Sequence, residues 1–181
     1  MRHAAPVRSE LGIRTAFNIL GPLANPARVR HQALGTGDPA LAGLMAQVLQ
    51  RLGHRRAIVF SGPEGIDELG LAGPAQCHEV SADGVRSFQL DPRSLDLPAA
   101  PLGALRGGDA QENAARIRSV LDGEPGPGRD VVVLNAAAAL VAAERAADFA
   151  EGLEQARAAV DSGEARRCLD DLVRVSRAAA A

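Results

Sequence analysis

The stretch HQALGTGDPALAGLMAQVLQRLGHRRAIVFSGP, residues 31–63, sets two short apolar runs on either side of an amphipathic segment. HQALG has the length and character of a short strand. Asp38-Pro39 then opens a helix that runs to about Leu52, because Asp suits the N-cap and Pro suits the first helical position. AIVFS, residues 57–61, is a second strand that ends in a Gly/Pro loop. Strand, helix and strand in this order make a βαβ unit.

Downstream of that unit, QCHEVS and RSFQL alternate apolar and polar residues about an Asp83-Gly84 turn, the pattern of a β-hairpin. From Asp109 the chain turns helical, with Asp109 as cap and Glu112 three residues on completing a capping box, and this helix should end near Gly123. VVVLNAAAALVAA, residues 131–143, fits a buried strand or the first turns of a buried helix, and its Ala-rich continuation favours helix. Helices over Phe149 to Ser162 and Glu164 to Arg177 are expected to finish the chain. Upstream, Pro6 to about Gly12 looks like a short helix, and the Gly and two prolines of RTAFNILGPLANP, residues 14–26, forbid a long one. The fold class expected is α/β: a mostly parallel open sheet flanked by helices, with one antiparallel hairpin. Residues 1–177 are expected to form one incomplete α/β unit, and 178–181 an Ala-rich tail.

A chain of 181 residues can bury one good-sized core, and 46% hydrophobic residues place it with folded globular proteins. Aromatics are only 2%, with no Trp or Tyr, which removes the stacking platform that single-stranded nucleic acid needs. All 20 basic residues are Arg, but 22 acidic residues offset them and no basic run stands out, so charge suggests no polyanionic partner. Cys77 and Cys168 match no metal or redox spacing. Neither the N-terminus nor the apolar run at 131–143 is long enough for a signal peptide or for the roughly 18 residues of a membrane span, so a cytoplasmic location is expected.

Two constellations could carry chemistry. The first is PVRSELGIRTAFNILGPLANP, residues 6–26, where Arg8 and Arg14 sit beside a turn-rich backbone. An Arg fork can grip a carboxylate with two parallel hydrogen bonds, although an Arg taken alone is more often a surface residue. The second is SGPEGIDELGLAGP, residues 61–74, which carries Asp67 and Glu68 just beyond a strand end, where ligands of open α/β sheets gather. Two carboxylates suffice for Mg²⁺ when substrate phosphates and waters supply the other oxygens, yet an isolated Asp-Glu pair is more often plain surface. Gly35-Thr36-Gly37-Asp38 resembles a phosphate-cradling loop in outline, but helix capping is the better reading, since Pro39 removes one donor. His3, His31, His54 and His78 have neither zinc nor triad spacing.

The strings R-x-E-L-G-x-R-T-x-F-N-x-L-G-P-L-x-N-P, from Arg8, and G-x-D-E-x-x-L-x-G-P, around Asp67 and Glu68, are similar to the two signature segments of anthranilate phosphoribosyltransferases. The likeness extends from Met1 to about Ser176 and includes RGGDAQENA, residues 106–114, taken here as a helix entry. The resemblance implies a partial glycosyltransferase family 3, nucleoside phosphorylase-like α/β domain. It places the anthranilate carboxylate on Arg8 and Mg²⁺, bound to the donor pyrophosphate, on Asp67 and Glu68. Arg14, Asn18 and Gly21 also match, with a Gly-Pro turn expected to shape the loop. No catalytic residue is assigned. The family's N-terminal helical domain and its GTGGD donor loop have no counterpart before Met1, so the chain alone is expected to be an inactive fragment, and the full-length enzyme a homodimer.

The implied reaction transfers the phosphoribosyl group of phosphoribosyl diphosphate to anthranilate, a step of tryptophan synthesis. Two alternatives stay open: a non-catalytic nucleic-acid-binding relative of the same fold, and a pyrimidine nucleoside phosphorylase-like enzyme.

Overall fold

A computed structural model of the chain describes Glu10 and residues 17–180. The expected helix at Pro6 to Gly12 falls largely outside them. The first element, α1 (Phe17–Leu23), is a short helix that contains Pro22. The Gly21-Pro22 pair therefore lies in helix and not in the turn expected there. An element this short loses little by forgoing one amide bond, and the Ala24 N–H closes its end on the Leu20 carbonyl at 2.9 Å.

The βαβ unit forms as the patterning predicts. Strand β1 (His31–Gly35), helix α2 (Pro39–Arg51) and strand β2 (Arg56–Ser61) follow in order, and β1 pairs with β2 in parallel, Gly35 opposite Phe60. Asp38 caps α2, accepting from the Ala40 N–H. Strands β3 (Ala75–Ser81) and β4 (Gly84–Leu90) form the antiparallel hairpin. Its turn sits one residue earlier than expected: Ser81 pairs with Gly84, leaving Ala82 and Asp83 as the loop, and the left-handed conformation falls on Gly84 at φ 129°.

The sheet order is β1-β2-β3-β4, an open sheet flanked by helices. Among the described residues it is mixed, with one parallel pairing and two antiparallel ones. Parallel pairs need a crossover, and this region supplies one crossover and then a hairpin.

Helices α3 (Ala110–Leu121), α4 (Pro127–Ala142), α5 (Phe149–Asp161) and α6 (Glu164–Ala180) complete the structure. The capping box of Asp109 and Glu112 is present. The ambiguous apolar run at 131–143 is helical; Pro127 starts it and the Asp130 carboxylate lies in its first turn, where it complements the helix dipole. The last helix continues through Ala180. No helix of the described residues is long and apolar enough to cross a membrane.

Period-two alternation along β2 divides the core between two layers. Ala57 and Val59 pack with Leu34, Val80 and the Ala42, Met45, Ala46 and Leu49 face of α2. Ile58 and Phe60 pack on the opposite side with Leu69, Leu71, Cys77 and the buried faces of α4 and α5. Cys77 is fully buried, and burial pushes its thiol up to about 12, so it stays a neutral core residue. A Cβ on Gly152 of α5 would lie 3.0 Å from the Ala137 carbonyl oxygen of α4, so small residues let these helices pack closely.

One ion cluster ties three strands. Glu79 on β3 accepts from Arg56 on β2 at 2.8 Å and from Arg86 on β4. Burial alone pushes the Glu79 carboxyl up, but the hydrogen bonds from Arg86 and Arg56 outweigh it and hold the group below its ordinary value. A depressed folded value means that the stabilisation is present above the unfolded value, about 4.3, and is lost as pH falls through the folded one. Urea midpoints followed from pH 7 down to pH 3 are therefore expected to decline less steeply below about pH 4.5 in Glu79→Gln than in the native chain. Parallel declines would show that the cluster contributes no linkage.

Candidate functional site

The acidic loop begins where β2 ends. The Gly62 N–H donates to the Ile66 carbonyl at 3.0 Å, and Pro63–Gly65 between them forms a single 3-10 turn. Glu64 at φ 59° and Gly65 at φ 74° are both left-handed, which reverses the chain tightly enough to return it over the strand end. Asp67 and Glu68 follow with exposed side chains, whereas Leu69, 1% exposed, is in the core.

Two glycines let the backbone of that carboxylate pair come close to the strand ends. A Cβ on Gly35, at the end of β1, would sit 1.7 Å from the Asp67 carbonyl oxygen. One on Gly62 would sit 2.0 Å from the Glu68 carbonyl oxygen. Neither contact tolerates a side chain, so the loop lies directly against the ends of two parallel strands. Gly37 makes a looser approach of the same kind, 2.7 Å from the Gly65 carbonyl oxygen.

This explains Gly35-Thr36-Gly37-Asp38. The Thr36 N–H donates to the Phe60 carbonyl at 2.9 Å and the Asp38 N–H to Thr36 Oγ1 at 3.3 Å, while Asp38 caps α2. Two amides that a phosphate cradle would use are already engaged. The segment serves as a helix cap and as a seat for the acidic loop.

The third anchor was not singled out in the sequence. Asn135 on α4 accepts from the Leu69 N–H at 3.0 Å and donates to the Leu69 carbonyl at 2.9 Å. Its second amide hydrogen goes to the Val131 carbonyl of its own helix, also at 2.9 Å. The signal available was a lone carboxamide inside VVVLNAAAALVAA, since a polar residue in a buried run is the informative exception.

The Asp67 and Glu68 carboxylates make no ion pair or hydrogen bond among the described residues, and they open onto solvent-accessible space. A cavity of about 670 Å³ is lined by Glu64, Asp67, Glu68 and Arg106. Glu68 also borders a second cavity of about 520 Å³, between α3 and the start of α4, with Arg116 and Arg129. No group of three or more His, Cys, Asp or Glu is poised to enclose a metal among the described residues. Two free, adjacent, hard oxygen donors in open space fit Mg²⁺, which keeps waters and shares substrate oxygens, and do not fit a closed structural metal site.

Arg8 and Arg14 lie outside the described residues. Asn18 and Gly21 lie in α1. RGGDAQENA is a helix entry: Asn113 brackets Gly108, accepting from its N–H at 2.9 Å and donating to its carbonyl at 3.0 Å. Of the histidines, His3 lies outside the described residues, His31 meets the Ala142 carbonyl, His54 the Leu49 carbonyl and His78 the Ser87 hydroxyl.

An open α/β sheet with an acidic loop set at its strand ends supports many chemistries, and comparison with known proteins gives the family. Residues 1–166 match the model described as the glycosyl transferase family, a/b domain, and the chain belongs to that family. It is 54% identical over 183 residues to an anthranilate phosphoribosyltransferase from Thermomicrobium roseum, a match covering 99% of this chain and 53% of that protein. The crystal structure of the corresponding Thermus thermophilus enzyme superposes with a TM-score of 0.89 at 46% identity, covering 98% of this chain and 52% of that one. A Saccharomyces cerevisiae anthranilate phosphoribosyltransferase in complex with PRPP and Mg gives a TM-score of 0.83 at 28% identity, covering 94% and 49%. The chain thus spans about half the length of the relatives it matches.

Proposed function

We propose that this chain is the acceptor- and metal-binding part of an anthranilate phosphoribosyltransferase. The carrying observation is the pair Asp67-Glu68, exposed and without a partner among the described residues, with its backbone set against the end of the parallel strands. The 54% identity to a transferase of this name, and the likeness to a 28% identical one solved with PRPP and Mg, support the same reading.

In the reaction, the neutral aryl amine of anthranilate attacks the anomeric carbon of phosphoribosyl diphosphate. A C–N bond forms, the C–O bond to pyrophosphate breaks, and the amine loses one proton to water. Bound Mg²⁺ supplies charge stabilisation for the departing pyrophosphate. Asp67 and Glu68 would hold that ion, and Arg8 grips the anthranilate carboxylate, so that orientation and electrostatics lower the barrier; no acid, base or nucleophile of this chain is assigned. The reading carries a cytoplasmic location and a homodimer for the complete enzyme. The roles of Arg8, Asp67 and Glu68 belong to the proposal.

Consumption of anthranilate with phosphoribosyl diphosphate and Mg²⁺ tests it. Residues 1–181 alone are expected to give no turnover. Fusion behind the part of the Thermomicrobium roseum relative that this chain does not match is expected to restore it. Arg8→Ala in that fusion should raise the KM for anthranilate by roughly tenfold or more, the loss of a charge-assisted hydrogen bond of about 1.5–3 kcal/mol, with a smaller change in the donor KM. A folded fusion without turnover would reject the proposal, and an unchanged acceptor KM would remove Arg8 from it.

A further inference from the structure

Asn135 is an expensive residue for its place. Asn is a poor helix former, and at mid-helix in α4 it stands among Val131, Val133, Leu134, Ala137 and Ala138, all buried. Asn135 itself is half-buried, and a carboxamide partly withdrawn from water destabilises the fold unless its hydrogen bonds are made. Both amide hydrogens and the oxygen of Asn135 are used, and two of its three bonds reach across 66 residues of sequence to the backbone of Leu69. Exchanging its oxygen and nitrogen would set NH₂ against the Leu69 N–H and oxygen against two carbonyls, so the partners fix the orientation.

Leu69 directly follows Glu68, and its side chain is already held by the core. Side-chain packing alone leaves the peptide on either side of it free to rotate. A bond to the N–H and a second to the carbonyl of one residue remove that freedom, and with it the freedom of the Glu68–Leu69 peptide. At Gly35 and Gly62 the strand ends come so close to the carbonyls of Asp67 and Glu68 that a Cβ would not fit between them. Residues 67 and 68 are thus closely packed through their backbone and residue 69 is hydrogen-bonded through its own, while the carboxylates make no bond among the described residues. An apolar residue at 135 would fill the same volume of core but would leave this loop held by packing only.

We propose that Asn135 is a positioning residue for the carboxylate pair: its clamp on Leu69 sets the direction in which Asp67 and Glu68 present their oxygens to a divalent cation. The inference rests on the reading of Asp67 and Glu68 as metal ligands. Residues that orient metal ligands without touching the metal change affinity by about 10–100-fold when altered, and an effect near the lower end is expected for a pair as exposed as this one.

The test titrates residues 1–181 with Mn²⁺ alone and follows paramagnetic broadening of backbone amide resonances. In the native chain, broadening should centre on Asp67 and Glu68, and Asp67→Asn with Glu68→Gln should abolish it. Asn135→Leu should require about tenfold more Mn²⁺ for the same broadening. Leu49→Ala, which opens a cavity on the far side of the sheet, should lower the melting temperature yet keep the native Mn²⁺ response. A native response in Asn135→Leu, or equal weakening in Leu49→Ala, overturns the positioning role and leaves the metal reading standing. Absent broadening at 66–69 in the native chain, or its persistence without the two carboxylates, overturns the metal reading and this inference together. If Asn135→Leu does not fold, hydrogen exchange on the native chain decides. The Leu69 amide should be protected like those of α4, and exchange as fast as an exposed loop amide overturns the clamp.

Discussion

Gly35→Ala is expected to lower stability by about 3 kcal/mol or more, at or beyond the upper end of the cost of overpacking a core. The added methyl carbon would lie 1.7 Å from the Asp67 carbonyl oxygen, 2.5 Å from its carbon and 3.0 Å from the Phe60 ring. A flexible side chain could swing aside, but a backbone carbonyl cannot move without carrying its loop. Gly35 is not among the residues with positive φ, so the cost is steric and not conformational. The loop has little room to yield, since Gly62 presses on the next carbonyl and Asn135 holds the residue after that. Thermal denaturation should show a fall of roughly 6–12 °C, taking about 2–4 °C per kcal/mol for a chain of this size. Gly103→Ala provides the comparison, because a Cβ there meets nothing within 4 Å. It should melt within about 2 °C of the native chain, as neutral surface changes do. If both variants melt with the native chain, the loop does not lie against β1.

The contrast between these two glycines shows what a sequence can and cannot convey. Both are single letters in turn-rich stretches, and only the fold distinguishes a seat for a carbonyl from open surface. Local chemistry was legible: Asp38-Pro39 and the Asp109–Glu112 box mark helix starts because capping acts over three residues. The hairpin was legible to within one residue; its loop fell at Ala82-Asp83 because Gly84 takes the left-handed conformation while still pairing with Ser81. The run at 131–143 resisted assignment because its exposed positions, Val132 and Ala139 among them, are apolar like its buried ones, which erases the period that separates helix from strand. Asp67 and Glu68 are singled out by the longer string they sit in, since an Asp-Glu pair after a strand is by itself more often plain surface. Asn135 lies 66 residues away, and nothing local ties it to Leu69. Arg8 belongs to the part of the chain outside the described residues, so its role rests on motif likeness alone.

Asp67→Asn and Glu68→Gln, each placed in the complete transferase, should separate shape from charge at the site. Both side chains are exposed and make no hydrogen bond among the described residues, so their amide isosteres should leave stability within about 0.5 kcal/mol of the native value. The backbone anchors at Gly35, Gly62 and Asn135 remain in each variant, so the loop should keep its course. What changes is the negative charge offered to the cation. Losing one preorganised electrostatic contact to a transition state lowers turnover by about 10²–10³-fold, and a comparable loss is expected here, together with a higher Mg²⁺ midpoint. Raising Mg²⁺ should recover part of the loss if the second carboxylate still holds the ion. Initial rates measured against Mg²⁺ concentration at saturating donor resolve the two effects. A rate loss with an unchanged Mg²⁺ midpoint would assign the carboxylates to substrate contact instead of metal binding. Unchanged rates in both variants would leave the pair as ordinary surface, and the pinned loop would then be structure alone.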